Sequence, residues 1–176
     1  MVEFNHYGVE KNSLGWWRIE AGKVNFDFDG FAENKNGWWY LQDGKVQFSM
    51  SDVIKGTVEG KNGWWYVSAG QVIFEDTVAK NNNGWWCIED GQVNFDFNGF
   101  AENENGWWHL QDGKVQFGVT DVLKGTVEGK TGWWNVKDGQ VIFENTVAKN
   151  RNGWWYIENG MEDFTHYGVD KHSLGL

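Results

Sequence analysis

The chain has 176 residues, of which 40% are hydrophobic and none is proline, a length that fits one ordinary domain or one array of small repeats. Its 25 acidic residues outnumber its 15 basic residues, and the net charge of −10 disfavours nucleic acid and anionic membrane surfaces as partners. Cys87 is the single cysteine, which excludes an internal disulfide, and no apolar run approaches the roughly 20 residues of a transmembrane helix.

Read from the N-terminus, the chain repeats a Gly-Trp-Trp motif that contains all 14 tryptophans. The motif begins at Gly15, Gly37, Gly63, Gly84, Gly106, Gly132 and Gly153. Successive motifs lie 22, 26 and 21 residues apart, twice in succession, so the pattern has a period of 69 residues. GFAENKNGWWYLQDGKVQF at 30–48 returns as GFAENENGWWHLQDGKVQF at 99–117, which makes each repeat most similar to the one three places later.

The two ends of the chain are related as well. HYGVEKNSLG at 6–15 matches HYGVDKHSLG at 166–175, and residues 1–4 have the pattern of the second half of a hairpin. We interpret residues 1–176 as a single repeat array with partial repeats at both ends, a piece of a longer array. A ring closed by the related ends is the alternative.

Each repeat carries a hairpin pattern. Asp43-Gly44 separates two short alternating segments, which is typical of a type I′ turn with positive φ at both central residues. The same pattern returns at Asp90-Gly91, Asp112-Gly113, Asp138-Gly139 and Asn159-Gly160. Ala21-Gly22 and Ala69-Gly70 depart from this pattern, and because alanine disfavours positive φ, the sequence leaves open whether their turn type is the same. The polar segments ENKN and KNNN are predicted to be linkers.

Adjacent tryptophans in a strand point to opposite faces. The second tryptophan shares its face with an aliphatic residue two places later, which predicts a core at Trp17, Trp39, Trp65, Trp86, Trp108, Trp134 and Trp155. The first, or leading, tryptophan shares its face with mixed residues, which predicts a partly open face. In the second repeat we expect Val46 to pair with Leu41 and Phe48 to pair with Trp39, so that these four side chains form one apolar face.

A lone hairpin is marginally stable in water, so these hairpins are expected to stack. The period of three repeats is explained if three hairpins make one turn of a solenoid. The predicted fold is therefore all-β, a superhelical solenoid of about seven hairpins with roughly three hairpins per turn.

The pattern G-W-W-Y-L-x-x-G-x-V, followed by Gly-Phe and a polar segment, resembles the choline-binding, or cell-wall-binding, repeats of Gram-positive surface proteins, to which glucan-binding repeats are related. The resemblance implies a left-handed superhelix of hairpins and an aromatic cage for a quaternary ammonium group. It implies cage walls at Trp38 with Tyr40, Trp64 with Tyr66, and Trp154 with Tyr156. Phe31 and Phe100 stand where the family has a tryptophan after glycine, whereas GTV at 56–58 and 125–127 has no aromatic residue there.

The open-face tryptophans have two interpretations: they contact a cation or a sugar ring, or they seal the contact between hairpins. The expected ligand-binding residues are Trp16, Phe31, Trp38, Tyr40, Trp64, Tyr66, Trp85, Phe100, Trp107, Trp133, Trp154 and Tyr156. We expect no metal and no cofactor, because His6, His109, His166 and His172 lack neighbouring ligands at metal-binding spacing. Asp27-Phe28-Asp29-Gly30 has too few oxygen ligands for calcium and is predicted to be a turn.

The predicted function is a non-catalytic module that anchors a secreted or surface protein to cell-wall polymer through choline or glycan. No unique pair of carboxylates indicates a hydrolase. The alternatives are an array that binds a host protein such as an immunoglobulin, because Tyr and Trp favour interface hot spots, and a structural spacer or fibre. A targeting segment is expected outside this sequence.

Overall fold

The computed structural model describes residues 4–169, in which 21 β-strands and no helix are found. Residues 1–3 and 170–176, and with them His172 and parts of the predicted partial repeats, lie outside the described residues. The strands are β1 Gly8–Asn12, β2 Gly15–Glu20, β3 Lys23–Val24, β4 Gly30–Asn34, β5 Gly37–Gln42, β6 Lys45–Val46, β7 Asp52–Val58, β8 Lys61–Ser68, β9 Gln71–Val72, β10 Thr77–Asn81, β11 Gly84–Glu89, β12 Gln92–Val93, β13 Gly99–Asn103, β14 Gly106–Gln111, β15 Lys114–Val115, β16 Asp121–Val127, β17 Lys130–Lys137, β18 Gln140–Val141, β19 Thr146–Asn150, β20 Gly153–Glu158 and β21 Met161–Glu162.

Each repeat forms a module of three consecutive strands, of which the third is two residues long. In the second module β4 and β5 pair antiparallel from Gly30↔Leu41 to Asn34↔Gly37, and β5 pairs with β6 at Leu41↔Val46 and Gln42↔Lys45. The predicted all-β architecture and the Leu41–Val46 pair are confirmed. The segment ENKN is divided: its first two residues belong to β4, and only Lys35-Asn36 form the predicted turn.

The short third strand leaves Phe48 outside the ladder, so the predicted pair of Phe48 with Trp39 is wrong. Trp39 lies opposite Ala32 in its own module and opposite Gln71 of the next module. The Phe48 ring nevertheless touches the Trp39 ring at a centroid separation of 5.6 Å. It is 45% exposed, so it covers the tryptophan from the solvent side instead of joining the core.

All the two-residue turns after the Trp-Trp strands share one backbone conformation. Ala21 and Ala69 have φ values of 48° and 49°, matching the 49° of Asp43, and the glycines that follow also have positive φ. The turn type at the two alanines, which the sequence left open, is therefore the same as at Asp43-Gly44. Two-residue hairpin loops of this geometry need positive φ at both positions, and alanine adopts it at a cost of about 1–2 kcal/mol.

The chain divides into two compact units. The N-terminal unit comprises residues up to Asn83 together with Ile88–Val93, and the C-terminal unit comprises Gly84–Cys87 and the chain from Asn94 onward. Within the N-terminal unit, consecutive modules join through the backbone pairs Trp17↔Lys45, Trp39↔Gln71 and Trp65↔Gln92. Within the C-terminal unit, the equivalent pairs are Trp86↔Lys114, Trp108↔Gln140 and Trp134↔Met161. Among the described residues, therefore, six of the seven second tryptophans pair with the next module's short strand.

The turn glycines belong to these junctions. The Gly70 carbonyl accepts a hydrogen bond from the Tyr40 N–H of the preceding module at 2.8 Å, and the Gly70 N–H donates to the Met50 carbonyl at 2.7 Å. A Cβ atom on Gly70 would lie 2.5 Å from the Gln47 carbonyl oxygen. The glycine of this turn is therefore required by the stacking of neighbouring modules as well as by the turn conformation.

The core contains the predicted aliphatic residues. Leu41, Val67, Leu110, Val136 and Ile157 are fully buried, and Ile88 is 1% exposed. Among the second tryptophans, Trp39, Trp65, Trp108 and Trp134 are buried, while Trp17, Trp86 and Trp155 are partly buried. The predicted inward face is confirmed for the aliphatic residues of these six modules, and Ile19 of the first module is partly buried.

Candidate functional site

The two indoles of a pair differ first in what their N–H groups bind. The Trp39 indole N–H donates to Asn34 Oδ1 at 3.0 Å, and the same oxygen accepts the backbone N–H of Asn36. In the longer third module, the Trp65 indole donates to the Gly56 carbonyl at 3.2 Å. Equivalent bonds bind Trp17 to Asn12, Trp108 to Asn103, Trp155 to Asn150 and Trp134 to Gly125. The second indole therefore closes its own hairpin.

The leading indoles are only partly exposed, and six of them make no indole hydrogen bond to any described residue and have no buried N–H group. These six are Trp16, Trp38, Trp64, Trp85, Trp107 and Trp133. Three of them, Trp16, Trp38 and Trp107, also pack against core clusters. Trp154, in the seventh pair, is 49% exposed. The first six therefore combine packing between hairpins with a partly exposed ring and an unpaired donor.

Not all leading indoles have the same neighbours. The Trp16 ring contacts Trp39 of the next module at 5.0 Å between centroids and Phe48 at 5.7 Å. Trp85 contacts Trp108 and Phe117 in the same way, at 5.1 and 5.5 Å. Rings in such direct contact leave no space for a ligand between them, so a ligand has to approach their outer surfaces. These exposed phenylalanines are not among the ligand-binding residues predicted from the sequence.

A cleft in the N-terminal unit has one of these indoles in its wall. Its volume is about 440 Å³, and Trp16 lines it together with Glu10, Glu33 and the lysines at 11 and 35. No cation lies over the Trp16 ring among the described residues, whereas the Lys45 ammonium lies 5.2 Å from the centroid of the neighbouring Trp17. Two carboxylates and two ammonium groups balance in charge, so this cleft combines an indole with hydrogen-bonding groups of both signs.

A second cleft, of about 430 Å³, lies in the C-terminal unit. Trp154 lines it together with Asn135, Thr146, the lysines at 137 and 149, and the carboxylates at 121 and 144. The Lys149 ammonium lies 5.8 Å from the Trp154 ring centroid. This cleft therefore combines a half-exposed indole with several hydrogen-bonding side chains.

Comparison with known families identifies the repeat. The model of the choline-binding repeat matches six segments, which are residues 8–25, 27–47, 55–73, 75–94, 96–116 and 143–163. The chain belongs to the choline-binding repeat family. The match of this family model confirms the resemblance predicted from the sequence. Choline-binding repeats generally form binding modules and are typical of Gram-positive surface proteins.

Two solved structures of choline binding protein F from Streptococcus pneumoniae are similar to the chain. Crystal form II is 18% identical with a TM-score of 0.39, and the structure in the presence of a peptidoglycan analogue, a tetrasaccharide-pentapeptide, is 17% identical with a TM-score of 0.40. Each comparison covers 97% of this chain but only 56% and 57% of the other, so the chain spans little more than half of their length. No match was found among curated proteins.

Trp38 and Tyr40, which the resemblance assigns to one cage wall, both pack against the core cluster around Trp65. No ring contact joins Trp38 to Tyr40, or Trp64 to Tyr66, within the described part of the chain. Tyr156 stacks on His166 at 3.6 Å between centroids. All three tyrosines are partly buried.

Phe31 and Phe100 lie in the core, each 7% exposed. Phe31 packs with Val58 and Trp65, and its ring fills the space where a Cβ of Gly56 would stand; Phe100 does the same beside Gly125. Because these rings offer almost no surface, we leave both out of the proposed ligand surface.

Two titratable groups outside the predicted set have unusual surroundings. Burial lowers the pKa of His109, and its Nδ1 atom is buried without a partner beside a cavity of about 330 Å³. Burial raises the pKa of Glu162, whose Oε1 atom also lacks a partner. The sequence contained a clue to both, because the preceding equivalent repeats carry Tyr40 and Val93 at these positions.

Residues 4–169 contain no group of three or more His, Cys, Asp or Glu side chains that could hold a metal ion. In the same range, no helix long and apolar enough to cross a membrane is found.

Proposed function

We propose that this chain is a non-catalytic module that anchors a secreted or surface protein to cell-wall polymer, with the leading indoles as its contact residues. The division within each tryptophan pair carries the proposal. The second indole is committed to its hairpin, while the leading indole keeps a partly exposed ring and, in six pairs, an unpaired N–H group. Seven such residues on one chain suit a repetitive ligand.

The energetics favour a polymer over a single small ligand. An indole face attracts a cation by about 0.5–2 kcal/mol, so one shallow site is expected to bind only at about −4 kcal/mol, in the millimolar range. Several sites on one chain retain a polymer more strongly than a single site does, because the first contact raises the effective concentration of the polymer at the other sites. The net charge of −10 favours polymers that carry cationic groups.

The test is retention of the chain on purified Gram-positive cell wall. Trp16→Ala with Trp154→Ala removes the indoles that line the two clefts and should lower retention at least tenfold, with an unchanged circular dichroism spectrum. Phe74→Ala is the matched control, because it removes an exposed ring that contacts the second indole Trp65 and lines neither cleft. Retention of the double variant equal to that of the unmodified chain would contradict the proposal.

Competition separates this proposal from a protein-binding array. Free choline or short glycans should displace the chain from the wall. Capture of immunoglobulin that neither competitor affects, combined with no wall retention, would favour the protein-binding alternative.

A further inference from the structure

We infer that the first and seventh modules carry complementary surfaces, so that the short strand β3 of one copy docks against the open edge of β20 in a second copy. The partner is another molecule of this chain, bound head to tail. The same contact already joins consecutive modules six times within the two units.

Each of these six junctions has the same three parts. A turn glycine accepts a backbone hydrogen bond, as the Gly44 carbonyl does from the Arg18 N–H at 2.8 Å. The next residue lays its side chain over the glycine of the preceding Gly-Trp-Trp motif, so that the Lys45 Cε atom lies 2.6 Å from the position of a Cβ atom on Gly15. The residue that follows is buried, with Val46 only 3% exposed.

The seventh module leaves the receiving half of this junction open. At the six earlier motifs, the place of a glycine Cβ atom is taken by a lysine, glutamine or methionine side chain of the next module. Gly153, the glycine of the seventh motif, has no described residue within 4 Å of that position. Its φ of 139° is close to the 130° of Gly37, so its backbone already has the conformation found at a filled junction. The edge of β20 therefore offers an open place of defined shape.

The first module carries the inserting half of the junction. Val24 is 36% exposed, whereas its counterparts at 46, 72, 93, 115 and 141 are between 3% and 7% exposed. Lys23 is exposed and corresponds to Lys45 and Lys114, which fill their junctions. The Gly22 carbonyl accepts no backbone hydrogen bond from a described residue outside its strands. The three parts that complete every junction are thus present and unused at β3.

A side-chain hydrogen bond adds to the match. The Asn34 amide group donates to the Val9 carbonyl of the preceding module at 3.3 Å. Asn12 is the counterpart of Asn34 in the first module, where its Oδ1 atom accepts bonds within the hairpin and its amide group has no acceptor among residues 4–169. Val147 is the counterpart of Val9 in the seventh module. The docked copies therefore gain the bond that consecutive modules already make.

The sequence favours the same neighbour. The segment after the seventh module, HYGVDKHSLG at 166–175, matches HYGVEKNSLG at 6–15, which opens the first module. A first module is therefore the kind of module that this sequence places after a seventh one.

Sedimentation velocity of the whole chain tests the contact. The mass should rise above the 20.3 kDa of one chain over the micromolar to millimolar range expected of one small interface. Because each copy carries a net charge of −10, added salt should strengthen association by screening the repulsion between copies. A chain that keeps the mass of one copy at every concentration and salt level would overturn the inference.

Two variants block one surface each. Val24→Lys brings an unpaired charge into the contact, and Gly153→Lys fills the receiving place, so each should weaken self-association at least roughly tenfold. Leu14→Lys is the control for the first, because Leu14 is 72% exposed in the turn between β1 and β2. Gly60→Lys is the control for the second, because Gly60 also has positive φ and nothing within 4 Å of its Cβ position. Both controls should associate like the unmodified chain, and circular dichroism checks each fold.

Mixing the two blocked variants tests the head-to-tail arrangement. The Val24→Lys copy keeps an intact edge at β20, and the Gly153→Lys copy keeps an intact β3. Because the two surfaces differ, an equimolar mixture should form a dimer and nothing larger, while each variant alone stays monomeric. Association of either variant alone at the level of the unmodified chain, or a mixture that stays monomeric, would overturn the inference.

Discussion

Replacing one turn glycine tests how the modules are held together. In Gly44→Ala, the new Cβ would overlap the Asn25 carbonyl oxygen of the preceding module and lie 3.0 Å from the Phe26 Cα atom. Gly60→Ala is a matched control: Gly60 has a φ of 74°, close to the 71° of Gly44, follows an acidic residue in the same kind of turn, and has nothing within 4 Å of its Cβ position.

The structure sets the expected magnitudes. Both variants place alanine in the left-handed region at about 1–2 kcal/mol, and the control loses nothing else. Gly44→Ala adds overpacking against backbone, about 1–3 kcal/mol. It also displaces the carbonyl that accepts the Arg18 N–H at 2.8 Å. We therefore expect a loss of about 2–5 kcal/mol in the free energy of unfolding, against about 1–2 kcal/mol for Gly60→Ala.

Urea denaturation followed by tryptophan fluorescence measures both losses. Native-state hydrogen exchange should place the extra loss at the junction of the first two modules, because a repeat array depends on contacts between neighbours. Equal losses in the two variants would show that turn conformation alone requires Gly44, and would refute the argument from stacking.

Three further predictions follow from single residues. Ala69→Asn should raise the free energy of unfolding by about 0.5–1 kcal/mol in urea denaturation, because Asn adopts the observed φ of 49° more readily; a loss would show that Ala69 is not strained. Burial raises the pKa of Glu162, so its contribution to stability is complete below its ordinary pKa of 4.5 and is lost as pH rises through the raised value. Glu162→Val should raise the free energy of unfolding near neutral pH by about 1–3 kcal/mol. It should also flatten the pH dependence of the melting temperature, and an unchanged pH dependence would contradict this prediction. Burial lowers the pKa of His109, so its contribution is complete above 6.5 and is lost as pH falls through the lowered value. His109→Tyr should remove that acid sensitivity, and an identical acid midpoint in the variant would refute the assignment.

Alternation within single strands could be read from the sequence. Adjacent tryptophans must diverge, and an aliphatic residue two places after the second one marks the inner face, as the fully buried Leu41 and Val67 confirm. The Asp-Gly turns were equally accessible, because two central residues with positive φ have a narrow residue preference.

Contacts between modules could not be read in this way. The third strand ends at Val46, so Phe48 leaves the ladder and lies over Trp39. Gly37 precedes the pair because the Gln71 side chain of the next module lies where its Cβ would stand. Gly56 likewise makes room for Phe31. The contacts at Gly37 and Gly56 depend on residues more than twenty positions away, and the contact of Phe48 depends on where the ladder ends; local propensity reports neither.

The indole N–H region of a ¹⁵N-correlated NMR spectrum tests the division within the pairs most directly. After transfer to heavy water, the N–H groups bonded to Asn or Gly, such as those of Trp39 and Trp65, should exchange slowly. Those of the leading residues, such as Trp16 and Trp38, should exchange within the dead time. Added wall polymer should broaden or shift the leading set alone. Equal exchange in both sets, or a polymer response confined to the second indoles, would contradict the account.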